Sequence, residues 1–178
     1  MKSVTAISTR TFHPLTAWAA LIILAAVWLL GIFGAPRLMA GGHHLVASAL
    51  YEGFSAVCHQ RPDRSYHYLG FPLGVCARCT GIYAGFLAGL IAAPLIFGPG
   101  NTSPPARKWL IAAALPMAVD YAGDLFGLFT NSHLSRALTG GIPGLTAAWY
   151  ILPGLTEILS SGQRAERRYR HFPEGEAE

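Results

Sequence analysis

Four stretches of this chain are nearly free of charge, and each is close to twenty residues long. Leu15 to Phe33 (LTAWAALIILAAVWLLGIF) and Thr80 to Phe97 (TGIYAGFLAGLIAAPLIF) hold no charged residue. Trp109 to Phe129 holds only Asp120 and Asp124, and Ala137 to Leu159 only Glu157. At 1.5 Å per residue, about 20 apolar residues cross the hydrocarbon core of a bilayer. The pattern predicts an all-α fold, an integral membrane bundle of about four transmembrane helices at 15–35, 79–98, 109–129 and 136–159. The whole chain, 1–178, reads as one membrane domain with an N-terminal tail (1–14) and a charged C-terminal tail (160–178).

The connection from 36 to 78 is different. In GGHHLVASALYEGFSAVCHQ (41–60), Leu45, Ala49 or Leu50, Phe54 and Val57 recur at helical spacing. That predicts a short amphipathic helix before the cysteine segment, with His43 and His44 at its start. Downstream, Gly81, Gly85 and Gly89 recur every four residues in the second span, and Gly140 and Gly144 in the last. Small residues at that interval let helix backbones approach closely in lipid, so these two spans are expected to pack tightly.

Composition agrees. Hydrophobic residues make up 52% and charged residues 12%, about half the share usual for soluble domains. The first run exceeds the about 7–15 apolar residues of a signal peptide, so it reads as an uncleaved anchor. The net charge of +4 is no nucleic-acid signature, because the basic residues gather at helix ends and in the tail. Four spans put both termini on one side with Lys2, Arg10, Arg107, Lys108, Arg164, Arg167, Arg168 and Arg170. Arg37, Arg61, Arg64, Arg78 and Arg136 fall on the other. Positive residues favour the cytoplasm. The expectation is a multi-pass cell-membrane protein with cytoplasmic termini and an extracytoplasmic cysteine segment.

The same hairpin arithmetic brings the chemistry to one end of the bundle. All three cysteines lie in CHQRPDRSYHYLGFPLGVCARCTG, 58 to 81. The second halves of span three and the start of span four return to that end, with Asp120, Asp124, Asn131, Ser132, His133 and Arg136. Asp120 and Asp124 are four apart, hence on one helical face. An aspartate near mid-span costs about 2.5–3.5 kcal/mol on insertion scales, so the pair should face the bundle interior, where Arg136 is the natural partner of Asp124.

A C-x-x-C with a further cysteine and nearby histidines is a zinc-type ligand set. Cys58, Cys76 and Cys79 supply three ligands, and His59, or alternatively His67, the fourth. A sphere closed in that way is structural. Two other readings stay open. Arg78 between the thiols, with a helix start after them, suits a thiol–disulfide oxidoreductase working through Cys76 and Cys79. The remaining reading is a plain disulfide plus a free thiol. Arg61, Arg64, Arg78 and Arg136 can hold phosphate or carboxylate through paired N–H donors, which suggests an anionic lipid headgroup or an ion as ligand, together with Asp120, Asp124 and Ser132.

These residues also carry a resemblance. C-H-Q-R-P-x-R-S (58–65), V-C-A-R-C-T-G-I-Y-x-G (75–85), P-x-x-x-D (Pro116, Asp120) and Ser132, Arg136, Thr139 and Gly140 resemble a family of small prokaryotic membrane proteins, domain of unknown function 2085, over about residues 50–155. The resemblance implies that the residues act as one unit and supplies no reaction. Whether the protein is an enzyme is left open. If it is, Asp120 and Arg136 are the catalytic candidates, with Asp120 as the acid or base. An ion or solute transporter, or an accessory subunit of a membrane complex or homo-oligomer, with the aspartates along an ion path, is the third expectation.

Overall fold

A computed structural model describes residues 14–97 and 103–170. Lys2 and Arg10, two of the residues that orient the chain, lie outside the described residues, as does 171–178. Five helices are present among them: α1 (Pro14–Ala40), α2 (His44–Ser55), α3 (Ala77–Phe97), α4 (Lys108–Leu125) and α5 (His133–Arg170). Between α2 and α3 lie a 3-10 turn, Pro62–Arg64, and a two-stranded antiparallel hairpin of β1 (His67–Tyr68) and β2 (Phe71–Pro72). Two helices, over Leu15–Ala40 and Ala77–Phe97, are long and apolar enough to cross a membrane. The acids Asp120 and Asp124 dilute α4, and threonine, glycine and charged residues dilute α5.

Polarity is arranged inside out. Leu24, Leu30, Leu95, Ile111, Leu115, Leu125 and Leu138 are exposed, whereas Ser65, Thr80, Asp120, Arg136 and Thr146 are buried. A water-soluble domain buries its large apolar side chains and keeps ion pairs wet. The reverse suits a helix bundle whose outer solvent is hydrocarbon.

The seam between α3 and α5 holds the bundle together. A side chain at Gly81, Gly85 or Gly89 would run into the backbone of Ala137, Gly141 or Leu145. Reciprocally, one at Gly140 or Gly144 would strike the carbonyls of Arg78 and Ile82. The two glycine series interlock as close backbone packing in lipid requires. Tryptophans tie the neighbours on. Trp18 of α1 donates to the Leu90 carbonyl at 2.9 Å, and Trp149 of α5 to the Gly89 carbonyl at 3.1 Å.

Three boundaries differ from the sequence reading, each for a local reason. α1 continues past 35 through Pro36, because the carbonyl that proline cannot reach, that of Ile32, accepts the Gly74 N–H at 3.1 Å instead. α4 stops at Leu125, four residues short of Phe129. There Gly127 turns left-handed at φ 67, Leu128 N–H caps the Gly123 carbonyl at 2.9 Å and Gly127 N–H that of Asp124 at 3.3 Å. α5 runs on to Arg170, so 160–170 is helix where a tail was expected. Gln, Arg, Ala and Glu in that stretch are good helix formers.

Candidate metal centre and the ion pairs beside it

The connection folds so that its three cysteines converge. α2 ends at Ser55, and the chain turns Cys58 inward, where it is 7% exposed. The hairpin then brings the chain back, and α3 begins one residue after Cys76, placing Cys79 in its first turn. The Sγ atoms of Cys58, Cys76 and Cys79 all lie within 4.8 Å of one another. Sulfurs bound to a single ion at about 2.3 Å stand about 3.8–4.0 Å apart, so the group closes on one ion with only small shifts. All three are free thiols.

Gln60 sets the knuckle. It adopts φ 48, a left-handed backbone rare for residues other than glycine. That geometry turns its N–H onto Cys58 Sγ at 3.4 Å, and the Cys76 N–H reaches the same sulfur at 3.3 Å. The Gln60 side-chain amide donates to the carbonyls of Tyr51 and Gly74, both at 2.7 Å, clipping the end of α2 to the end of the hairpin. Tyr51 adds a bond from its hydroxyl to the Pro72 carbonyl at 2.6 Å. Hydrogen bonds from the Cys76 and then the Cys79 thiol, with the backbone N–H groups of Cys76 and Gln60, hold the Cys58 thiol well below the ordinary range, against the opposing effect of burial.

The histidines do not join. Within the described residues the clustered ligand atoms are the three sulfurs alone. His59 is exposed while its neighbour Cys58 is buried. His67 is exposed on β1, with Nδ1 3.1 Å from the Ser65 carbonyl. His43 and His44 are exposed at the start of α2, and His44 Nδ1 stands 3.2 Å from Met39 Sδ. The fourth ligand expected from histidine is thus absent from the group. What surrounds the sulfurs is apolar: Ile32, Phe54, Leu73 and Val75, with Leu29, Leu50, Tyr66 and Tyr83 packed around them.

Beside this centre lies a ladder of ion pairs. Arg78, between the two cysteines of the C-x-x-C, donates to Asp120 at 2.6 Å, and its guanidinium stands 5.4 Å from the Tyr121 ring centroid. One turn along α4, Asp124 receives Arg136 at 3.3 Å and Arg64 at 3.6 Å. The Asn131 amide donates to the Asp120 carbonyl at 2.6 Å, and His133 Nε2 is 3.3 Å from the Asp63 carbonyl. Nε of Arg78, Nε of Arg136 and Oδ1 of Asn131 are buried without a protein partner. Arg61 pairs with Asp63 at the exposed rim, 3.3 Å away. Ser132 caps α5, its Oγ accepting the Ser135 N–H at 3.0 Å.

Sequence reasoning placed Asp124 with Arg136 and left Asp120 without an assigned arginine. For Gln60 the sequence offers one signal, its place in C-H-Q-R-P.

Comparison with known proteins is consistent with this description. Residues 58–150 match a family described as predicted membrane protein, DUF2085. The uncharacterised protein MJ1492 of Methanocaldococcus jannaschii is 38% identical over 146 residues, covering 78% of this chain and 94% of that protein. An uncharacterised protein of Methanothermobacter thermautotrophicus is 30% identical over 95 residues, 53% of this chain and 84% of its own length. No solved structure matches the chain. On the strength of the matched core, which opens at Cys58 itself, the chain belongs to the DUF2085 family of predicted membrane proteins.

Proposed function

We propose that this is a multi-pass membrane protein in which Cys58, Cys76 and Cys79 bind a thiophilic metal ion, zinc or a softer one. The ion staples the connection between α1 and α3 beside a pocket where Arg64, Arg78, Arg136, Asp120 and Asp124 hold a polar or ionic ligand. The single observation carrying the first half is the convergence of three sulfurs within 4.8 Å from distant points of the connection. Thiolate-rich sites select zinc and softer ions over magnesium or calcium. For the pocket, support comes from buried polar atoms left without protein partners. The three arginines exceed the two aspartates by one charge, which favours an anion such as a lipid phosphate.

In this reading α1, α3, α4 and α5 all cross the bilayer. α4, with 18 residues, is about 27 Å long at 1.5 Å per residue, close to the hydrocarbon thickness. Its exposed Ile111, Leu115, Val119 and Leu125 suit lipid. The aspartates are already matched by arginines, which weighs against an open ion path through them. The cysteine end faces away from the cytoplasm by the charge bias of the loops.

Metal content and free-thiol count on the detergent-purified protein, native and Cys76→Ser, test the reading. One equivalent of zinc or a softer ion, lost in the variant, supports it. No metal and a single free thiol would replace it with a thiol–disulfide oxidoreductase. The observation favouring that second reading is the C-x-x-C at a helix start with the Cys58 sulfur within 4.8 Å of both its thiols.

A further inference from the structure

We infer that the cysteine centre is three-coordinate: a thiolate-only site for an ion satisfied by three sulfurs, trivalent arsenic or monovalent copper, with zinc disfavoured. This rests on the proposed reading of the cysteines as a metal site and specifies its ligand. Zinc takes four ligands in its structural sites. Here, among the described residues, three sulfurs form the group, and neither histidine of the segment belongs to it. Asp120 and Asp124 are engaged by Arg78, Arg64 and Arg136, and Asp63 by Arg61 and Arg64. The side chains packed around the sulfurs include Ile32, Phe54, Leu73 and Val75, which carry no donor atom, and Tyr83, whose protonated phenol is a weak ligand.

Charge points the same way. Three thiolates gathered on an apolar cluster need neutralising. Two backbone N–H groups serve Cys58, but the guanidinium of Arg78, which lies between the two cysteines of the C-x-x-C, is turned to Asp120. Trivalent arsenic bound by three thiolates is neutral. Arsenous acid reaches that state without an oxidant: each As–O bond breaks as an As–S bond forms, each thiol proton leaves with the departing hydroxyl as water, and arsenic stays trivalent. Monovalent copper enters as thiol protons leave and also suits three soft ligands, but it leaves two negative charges on the cluster, so charge favours arsenic of the two.

The test uses the reduced full chain in detergent, loaded separately with arsenite, monovalent copper and zinc. Thiols left open to alkylation are counted by mass spectrometry, and X-ray absorption reads the donor shell. One equivalent of arsenite or of copper is expected to protect all three thiols, with three sulfurs and no lighter donor in the shell. The His59→Ala/His67→Ala double variant should bind as the native chain does. Competition between the two ions at equal concentration then assigns the preferred one. Arsenite protecting only two thiols would overturn three-coordination. So would a zinc shell of three sulfurs and one nitrogen that disappears in the histidine variant, although the metal reading itself would stand. Failure of every ion to protect any thiol in the reduced, folded protein would overturn both.

Discussion

The amide of Gly74 donates to the carbonyl of Ile32 at 3.1 Å, joining the end of the hairpin to the side of α1. The bond exists because Pro36, four residues after Ile32, has no N–H with which to claim that carbonyl. A helix interior is thereby opened to a tertiary partner, and the cysteine segment is anchored to the first span two residues before Cys76.

Gly74 has no room to grow. A Cβ there would stand 2.8 Å from the Phe54 ring. Gly74→Ala should therefore cost about 1–3 kcal/mol by overpacking, read as a lowered midpoint in thermal unfolding in detergent. Gly34→Ala in α1, where nothing lies within 4 Å, is the control and should leave the midpoint unchanged or slightly raised.

The glycine seam makes a sharper demand, because its neighbours are backbone. Gly85→Leu must push α3 away from the Gly141 carbonyl, and rigid backbone cannot yield as a side chain can. Loss of the native elution peak in size-exclusion chromatography is the expected result. Gly154→Ala, with open space around it, should elute as the native protein does.

Asp120 and Arg78 form the more buried of the two ion-pair steps, with side chains 7% and 17% exposed. Asp120→Asn removes the countercharge and strands a buried guanidinium, at a cost of about 3–5 kcal/mol. The double variant Asp120→Asn/Arg78→Met should recover much of that loss. If it is no more stable than the single variant, the pair is not what holds α4 to the cysteine end.

Gln60 should matter to the centre without being a ligand. Gln60→Gly keeps the left-handed backbone and hence the N–H on Cys58, while losing the clips to Tyr51 and Gly74. Supports of ligands typically carry about 10–100-fold in metal affinity, so chelator competition should show a loss in that range. Gln60→Ala, which keeps the native strain at φ 48 without the clips that hold it, should lose more.

The metal-free protein should respond to pH through Cys58. Its folded thiol pKa lies below the unfolded value, held there first by the Cys76 thiol. A depressed pKa stabilises fully above the unfolded thiol value, about 8.5, and that contribution declines as pH falls toward the folded value. The slope from one such group is at most about 1.4 kcal/mol per pH unit. Unfolding midpoints of the reduced, metal-free chain should therefore fall as pH is lowered through the neutral range, and Cys58→Ser should flatten that dependence.

Most of the helical framework was legible in the sequence, because apolar length and small-residue spacing are local properties. Runs such as Leu15–Phe33 and Thr80–Phe97 need no partner to declare themselves helical in lipid, and Gly81, Gly85 and Gly89 announce a close neighbour by their interval alone. Hairpin counting likewise put Cys58, Cys76, Cys79, Asp120, Asp124 and Arg136 at one end, since each span reverses direction. Tertiary structure decided the pairings. Which arginine meets Asp120, whether His59 turns in or out, and how Pro36 passes a carbonyl to Gly74 depend on side-chain direction across elements far apart in the chain. A sequence fixes the spacing along one helix; the sum of packing over many helices chooses the contact between them.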